Sequence, residues 1–209
     1  MKTQQFRRLA SVLFLAVSLV ITSACSDDDN NPNNNGPLPE LTATDADALL
    51  FMLEEEKLAR DTYTSLNNLW TLNQLANIKD SEQSHMNAIK NLLNRYEIDY
   101  DVLPIGEFYN QDLQGLYNQF MNDGAVSEMN ALVIGATIED LDILDLEDFI
   151  NGTENSALIS VFENLQCGSR NHLRSFVSGI ENRGGTYAPQ FLSQTQYETI
   201  LQGNHEQCN

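Results

Sequence analysis

"SEQSHMNAIKNLL", residues 81–93, carries Met86, Ile89, Leu92 and Leu93 at spacings of three and four, the period of an amphipathic helix. Extending the stripe backwards through Leu75 and Ile78, and forwards to Tyr96, takes it through Glu82 and His85. Positions that share this stripe share a face, so the pattern predicts that Glu82 and His85 point into a helical core rather than into water. A glutamate and a histidine three residues apart on one inner face are half of a metal site. The other half must come from matching faces elsewhere in the chain.

Three further segments have the same period. From Thr44 onward no stretch alternates with period two for long, and long helices are predicted over roughly 45–69, 72–97, 126–150 and 155–182. Thr44 or Asp45 is the expected N-cap of the first. A short turn near Trp70 makes the first two helices antiparallel neighbours. The stretch "IDYDVLPIGEFYNQDLQGLYNQFMNDG", with Pro104, Gly106 and a short helix near 110–122, is long enough to cross from one helical hairpin to the next. Gly184 and Gly185 end the fourth helix, and a small helix from Ser193 to Leu201 closes the chain. The fold class is therefore all-α: an antiparallel four-helix bundle with a crossover connection and a short C-terminal helix.

Each long helix carries a polar ligand-type residue in the middle of its apolar stripe. The first reads Leu49, Leu53, Glu56, Arg60, Tyr63, Leu66; the third reads Leu132, Ala136, Glu139, Ile143, Leu146, Ile150, with Asp140, a near neighbour of Glu139, as the alternative inward acid. The fourth reads Leu158, Phe162, Leu165, Ser169, His172, Phe176, Ile180. A buried carboxylate without a partner is costly, so three inward glutamates imply compensating positive charge, which a metal ion supplies compactly. Carboxylate and imidazole donors suit iron, manganese or zinc. Carboxylate-bridged two-metal bundles take a lone glutamate from each of two helices and Glu-x-x-His from each of the other two. Here Glu56 and Glu139 are the lone pair, Glu82-x-x-His85 is one motif, and Ser169-x-x-His172 is a second motif lacking its acid.

"EEEKLARDTY", "SEQSHM", "GATIEDLDILDL", "SRNHLRSF" and "GTYAPQFL" together resemble the uncharacterised ferritin-like family catalogued as domain of unknown function 2202, across nearly all of residues 45–202. "EKLARDTY" is also similar to the first helix of rubrerythrins, where a ligand glutamate precedes a tyrosine by seven residues; that register selects Glu56 over Glu54 and Glu55, with Tyr63 as the tyrosine. The resemblance implies a ferritin-like bundle that binds one or two iron ions, with oxygen or peroxide chemistry as the associated activity. Ser169 stands where the rubrerythrin-like pattern has a glutamate, which makes a single metal held by Glu82, His85 and neighbours the competitor of a two-metal site.

The N-terminal end has its own signature. Lys2, Arg7 and Arg8 precede the apolar run "LASVLFLAVSLVI" and then "TSAC", the layout of a secretory signal over residues 1–24. Cys25 after small residues resembles a lipobox cysteine that is lipidated, with Thr22 departing from the pattern. Residues 25–43, rich in Asn, Asp and Pro, read as a flexible tether, and residues 44–209 as the bundle. "SDDD" after the cysteine resembles a surface-export signal and equally fits a plain linker. The expected location is the cell envelope, with the membrane reached through the lipid on Cys25.

Removing residues 1–24 takes away three cations and no acids, so the formal charge moves from −19 to −22. The eleven Lys and Arg of the full chain are scattered, so it is unsuited to nucleic acid with or without residues 1–24. With Cys25 lipidated, Cys167 and Cys208 are left to form a disulfide in an oxidising compartment. Protein partners are unspecified, and a dimer stays open.

The competing expectations are bland ones. Glu56 can ion-pair with Arg60 one turn away, His172 can be a hydrogen-bonded core histidine, and Tyr63 a packed core residue with its hydroxyl satisfied. Glu54 and Glu55 read as a solvated face, the acids of "EDLDILDLED" as mostly exposed apart from Glu139, and Arg170 and Arg174 as makers of surface salt bridges. A bundle built that way would be a non-catalytic envelope scaffold with an ion-paired core. No hydrolase nucleophile arrangement, phosphate-binding glycine loop or cofactor fingerprint occurs in the chain.

Overall fold

The computed structural model describes residues 38–208. Among them are six helices and no strand: α1 (Ala43–Trp70), α2 (Asn73–Arg95), α3 (Gln111–Gly124), α4 (Glu128–Gly152), α5 (Ser156–Glu181) and α6 (Gln194–Gln202). The all-α bundle predicted from the sequence is the fold observed. The proposed leader, Cys25 and most of the tether lie outside the described residues. None of the described helices is long and apolar enough to cross a membrane.

Side-chain contacts give the arrangement. Glu56 meets His85 and Arg60 meets Gln83, so α1 and α2 are antiparallel. Gln166 reaches Ile143, Ser169 reaches Asp142 and His172 reaches Glu139, so α4 and α5 are antiparallel too. Tyr63 meets Glu139 while Asp45 meets Thr153, which sets α1 against α4, and Ser81 on His172 sets α2 against α5. Neighbours are thus antiparallel all round, and α2 and α4 run the same way. The segment between them must therefore travel the length of the bundle, and α3 lies along that path against α1 and α4.

The start of α1 differs from expectation. The N-cap is Thr42, not Thr44 or Asp45, and Asp45 is the N3 partner of a capping box in which each side chain accepts from the other's backbone. Asp45 also accepts from Thr153. An acid three residues after a threonine explains why the helix begins earlier. At the other end of the chain Ser193 caps α6 with Gln196 in the same fashion.

The crossover is pinned by a cation that the apolar stripe did not reveal. Lys57 is buried, and its Nζ donates to Asp61 Oδ2 and to the carbonyls of Pro104 and Glu107, while lying over the Phe108 ring. Arg60 also turns to Asp61, and to Gln83, instead of pairing with Glu56. The reason is local: Asp61 is fully buried and needs both cations.

Two apolar clusters fill the bundle. Tyr63, Leu66, Leu75, Leu132 and Phe176 belong to one, and Leu49, Met52, Ile89, Leu158 and Phe162 to the other. Glu56, Glu82 and His172 fall between them in sequence on their own helices, and Glu139, flanked by Ile138 and Ile143 of the first cluster, meets His172 at the same level, so a polar layer separates two oily ones.

Candidate metal centre

Mid-helix positions of α1, α2, α4 and α5 bring Glu56, Glu82, His85, Glu139 and His172 into that layer. The three glutamates are each no more than 2 % exposed. Glu82 lies in the middle, with Oε2 2.9 Å from His85 Nδ1 and Oε1 2.9 Å from His172 Nδ1. Glu56 Oε2 is 3.1 Å from His85 Nδ1, and Glu139 Oε2 is 3.4 Å from His172 Nδ1. Two triads result, Glu56–Glu82–His85 and Glu82–Glu139–His172, whose ligand-type atoms each fall within 4.8 Å of one another. They share Glu82.

The imidazoles are aimed by the surrounding chain. His85 and His172 stack at 5.5 Å between ring centroids. Ser81 Oγ lies 3.0 Å from His172 Nε2, which turns Nδ1 towards the carboxylates. His85 presses its Nε2 edge onto α5 at Gly168, where a Cβ would stand 2.6 Å from that nitrogen. Tyr63, fully buried, donates from its hydroxyl to Glu139 Oε1 at 2.6 Å.

Charge is divided unevenly across the layer. Burial pushes Glu82 up, but His172 and His85 outweigh it and hold this carboxylate well below its ordinary range. Burial likewise pushes both imidazoles down, and the acids around them win: Glu56 and Glu82 hold His85 well above its ordinary value, and Glu82 and Glu139 lift His172 to about 10. Glu139 is pushed up to about 7 by burial and by Glu82. Burial also raises Glu56 well above its usual range, against the pull of His85.

Several buried polar atoms of this layer have no hydrogen-bond partner among the described residues. Glu56 Oε1 and Asp142 Oδ1 are two. Glu82 Oε1 and His172 Nδ1 approach closely but without hydrogen-bond alignment. Inward-facing donor atoms left unmatched on four helices, all oxygen or imidazole nitrogen, fit a cation of the iron, manganese or zinc class.

A model of the family described as "Uncharacterized protein domain (DUF2202)" matches residues 45–204. The chain belongs to the DUF2202 family. A member from Methanocaldococcus jannaschii, the uncharacterized protein MJ0754, is 46 % identical over 172 residues, covering 81 % of this chain and 93 % of its own. The crystal structure of that hypothetical protein superposes with a TM-score of 0.80 over 82 % of this chain and 99 % of the other. All five proposed ligands lie within the DUF2202 segment, whereas Glu206 and Cys208 lie beyond it.

Those two residues tie the tail to α5. Cys208 is disulfide-bonded to Cys167, as the cysteine count suggested. Arg170 and Arg174, expected to make salt bridges away from the core, both hold Glu206. A cleft of about 480 Å³ opens onto His85 and His172, with the tail from His205 to Cys208 on its wall.

Sequence reading missed several buried acids in and around this layer. Glu55 is 2 % exposed rather than solvated, and Asp140 and Asp142 are buried rather than surface acids. Asp140 accepts from Tyr187 and from the backbone of Gln190, Phe191 and Leu192, anchoring the segment before α6. Glu54 is only partly exposed and receives the Tyr109 and Asn110 amides. The signal was available: "ALVIGATI" immediately before these acids is apolar on every side, the mark of a helix covered all round.

Proposed function

We propose that this DUF2202 protein is a ferritin-like metal-binding protein that holds two iron ions, with manganese or zinc as alternatives, and carries out redox chemistry with oxygen or peroxide. The observation that carries this reading is the sharing of Glu82 between two carboxylate–histidine triads. A scaffold with an ion-paired core accounts for the imidazole contacts but leaves Glu56 Oε1 and Asp142 Oδ1 buried without partners.

In this reading Glu56, Glu82 and His85 would hold one ion, and Glu82, Glu139 and His172 would hold the other. Two ferrous ions, if bound, would supply one electron each, which together with two protons from water is what reduces one hydrogen peroxide to two waters. The chain contributes the rest. Tyr63 fixes the orientation of Glu139 and fills the space beside it, Ser81 fixes the orientation of the His172 ring, and the two apolar layers exclude bulk water above and below. His85 and His172 face the cleft, which gives small molecules a way in.

The sequence of the first 37 residues supports an envelope location, with lipid on Cys25 as the link to the membrane. Mass spectrometry of the N-terminal peptide from the native host tests this: an acylated Cys25 is expected, and an unmodified chain retaining residues 1–24 is the contrary result.

The metal reading is tested by metal analysis after anaerobic reconstitution with ferrous iron. The purified chain is expected to retain about two equivalents, given donors for two triads, and Glu82→Ala to retain none. Less than a tenth of an equivalent in the parent rejects it. Loaded protein should also consume added peroxide, and metal-free protein should not.

A further inference from the structure

The two helical pairs supply unequal numbers of acids. α1 and α2 give Glu56 and Glu82-x-x-His85; α4 and α5 give Glu139 and Ser169-x-x-His172. Ser169 is fully buried, so the missing acid is not replaced by anything reaching in from solvent at that point. Its hydroxyl donates to Asp142 Oδ2 at 2.5 Å, with the Leu165 carbonyl 3.0 Å away as a second acceptor.

Asp142 sits three residues after Glu139, on the same face of α4. It is 6 % exposed, and while Oδ2 is held by Ser169, Oδ1 has no partner among the described residues. Its bond to Ser169 ties it to α5 three residues before His172; Glu139, Glu82 and His85 are among the groups that act on it, and Glu55 feels it as well. Glu56, whose own Oε1 is unmatched, feels Asp142 in turn. A buried acid on the Glu139 face of α4, with one oxygen fixed by Ser169 of α5 and the other free, has the form of a ligand oriented from behind by a hydrogen bond.

Resting on the two-metal reading above, we infer that Asp142 is a sixth protein ligand of the centre, binding through Oδ1, and that it supplies from α4 the carboxylate that α5 lacks at Ser169. The serine is then not a defect. A glutamate there would compete with Asp142 for the same space, and the hydroxyl instead positions the acid that took over. The total of four carboxylates and two imidazoles is restored by moving one acid to a neighbouring helix.

The test is an anaerobic ferrous titration of the purified chain and of Asp142→Asn and Asp142→Ala, with circular dichroism and metal-free melting temperature as controls for folding. Asparagine keeps the volume and the acceptor for Ser169 but cannot offer an anionic oxygen. The parent binds two equivalents. The variants are expected to bind one of the two at least tenfold more weakly, in line with the roughly 10–100-fold cost of losing a group that supports or orients a metal site, while their metal-free melting temperatures do not fall. Two equivalents bound by either folded variant with affinity within threefold of the parent overturns the assignment and leaves the two-metal reading intact. Absence of metal from the parent itself rejects the reading on which the assignment rests.

Discussion

Glu82 Oε1 lies 2.9 Å from His172 Nδ1 across the interface of α2 and α5, while the same carboxylate's other oxygen meets His85 on its own helix. One side chain thereby joins two halves of a bundle that are far apart in sequence. Replacing it by glutamine keeps the shape but removes the anion both triads use. Glu82→Gln is expected to lose both metal equivalents, whereas Glu56→Gln and Glu139→Gln each weaken one. Metal analysis of the three variants checks this; a Glu82→Gln protein that still binds one equivalent tightly goes against a shared carboxylate.

The metal-free protein should become less stable as pH rises. Glu139 and Asp142 sit at about 7 and about 8 in the fold against ordinary values of 4.5 and 3.8, so each contributes stability at acid pH that is lost as pH rises through its folded value. His172, at about 10 against 6.5, acts in the same direction at higher pH. Glu82, held low, keeps its stabilising contribution throughout this range. Metal binding displaces these protons, so loaded protein should gain relative to metal-free protein as pH rises. Melting temperatures at pH 5, 7 and 9 with and without iron are expected to diverge; parallel curves contradict the charge assignment.

Gly168 lets the Nε2 edge of His85 sit against α5. An alanine there improves helix propensity by about 1 kcal/mol, yet its methyl meets His85 Nε2 at 2.6 Å, closer than any such contact survives. Gly168→Ala should therefore keep its helical content and weaken metal binding, with His85 displaced. An unaltered titration shows that the imidazole does not need that position.

Lys57 and Asp61 hold the crossover rather than the metal. Breaking a buried pair by removing one partner costs about 3–5 kcal/mol, so Lys57→Ala should lower the denaturation midpoint sharply. The surviving Asp61 is left with Arg60 as its cation and the Gly106 amide as a further donor. A change below 1 kcal/mol, roughly the range of an exposed pair, is the contrary outcome for urea titration.

The disulfide between Cys167 and Cys208 closes a separation of 41 residues. The chain-entropy model assigns a loop of that size about 4 kcal/mol, although Arg170 and Arg174 still hold Glu206 when the bond is absent. Cys208→Ser should lower the melting temperature and leave metal stoichiometry at the parent value, since neither cysteine belongs to the two triads.

The helices and the inward glutamates were legible because a regular period carries both. α2 shows this best: its stripe from Leu75 to Leu92 names Glu82 and His85 without any tertiary knowledge. The reading failed where a helix has no outer face. Residues 134–140 of α4 are buried without interruption, because α3, α5, α1 and the segment before α6 surround it. A stripe rule then labels Asp140 and Asp142 as exposed simply because they are off the first stripe. Glu55 on α1 failed for the same reason, as α1 also packs against α2, α3 and α4. The role of Ser81 behind His172, and that of Lys57 over Phe108, depend on contacts between helices that no single-helix period encodes.

Anomalous diffraction at the iron edge from crystals of the iron-loaded protein tests the central claim most directly. Two anomalous peaks are expected, one against Glu56 and His85 and the other against Glu139 and His172, with Glu82 touching both. A single peak, or none in the layer between the two apolar clusters, contradicts a centre in which Glu82 is shared.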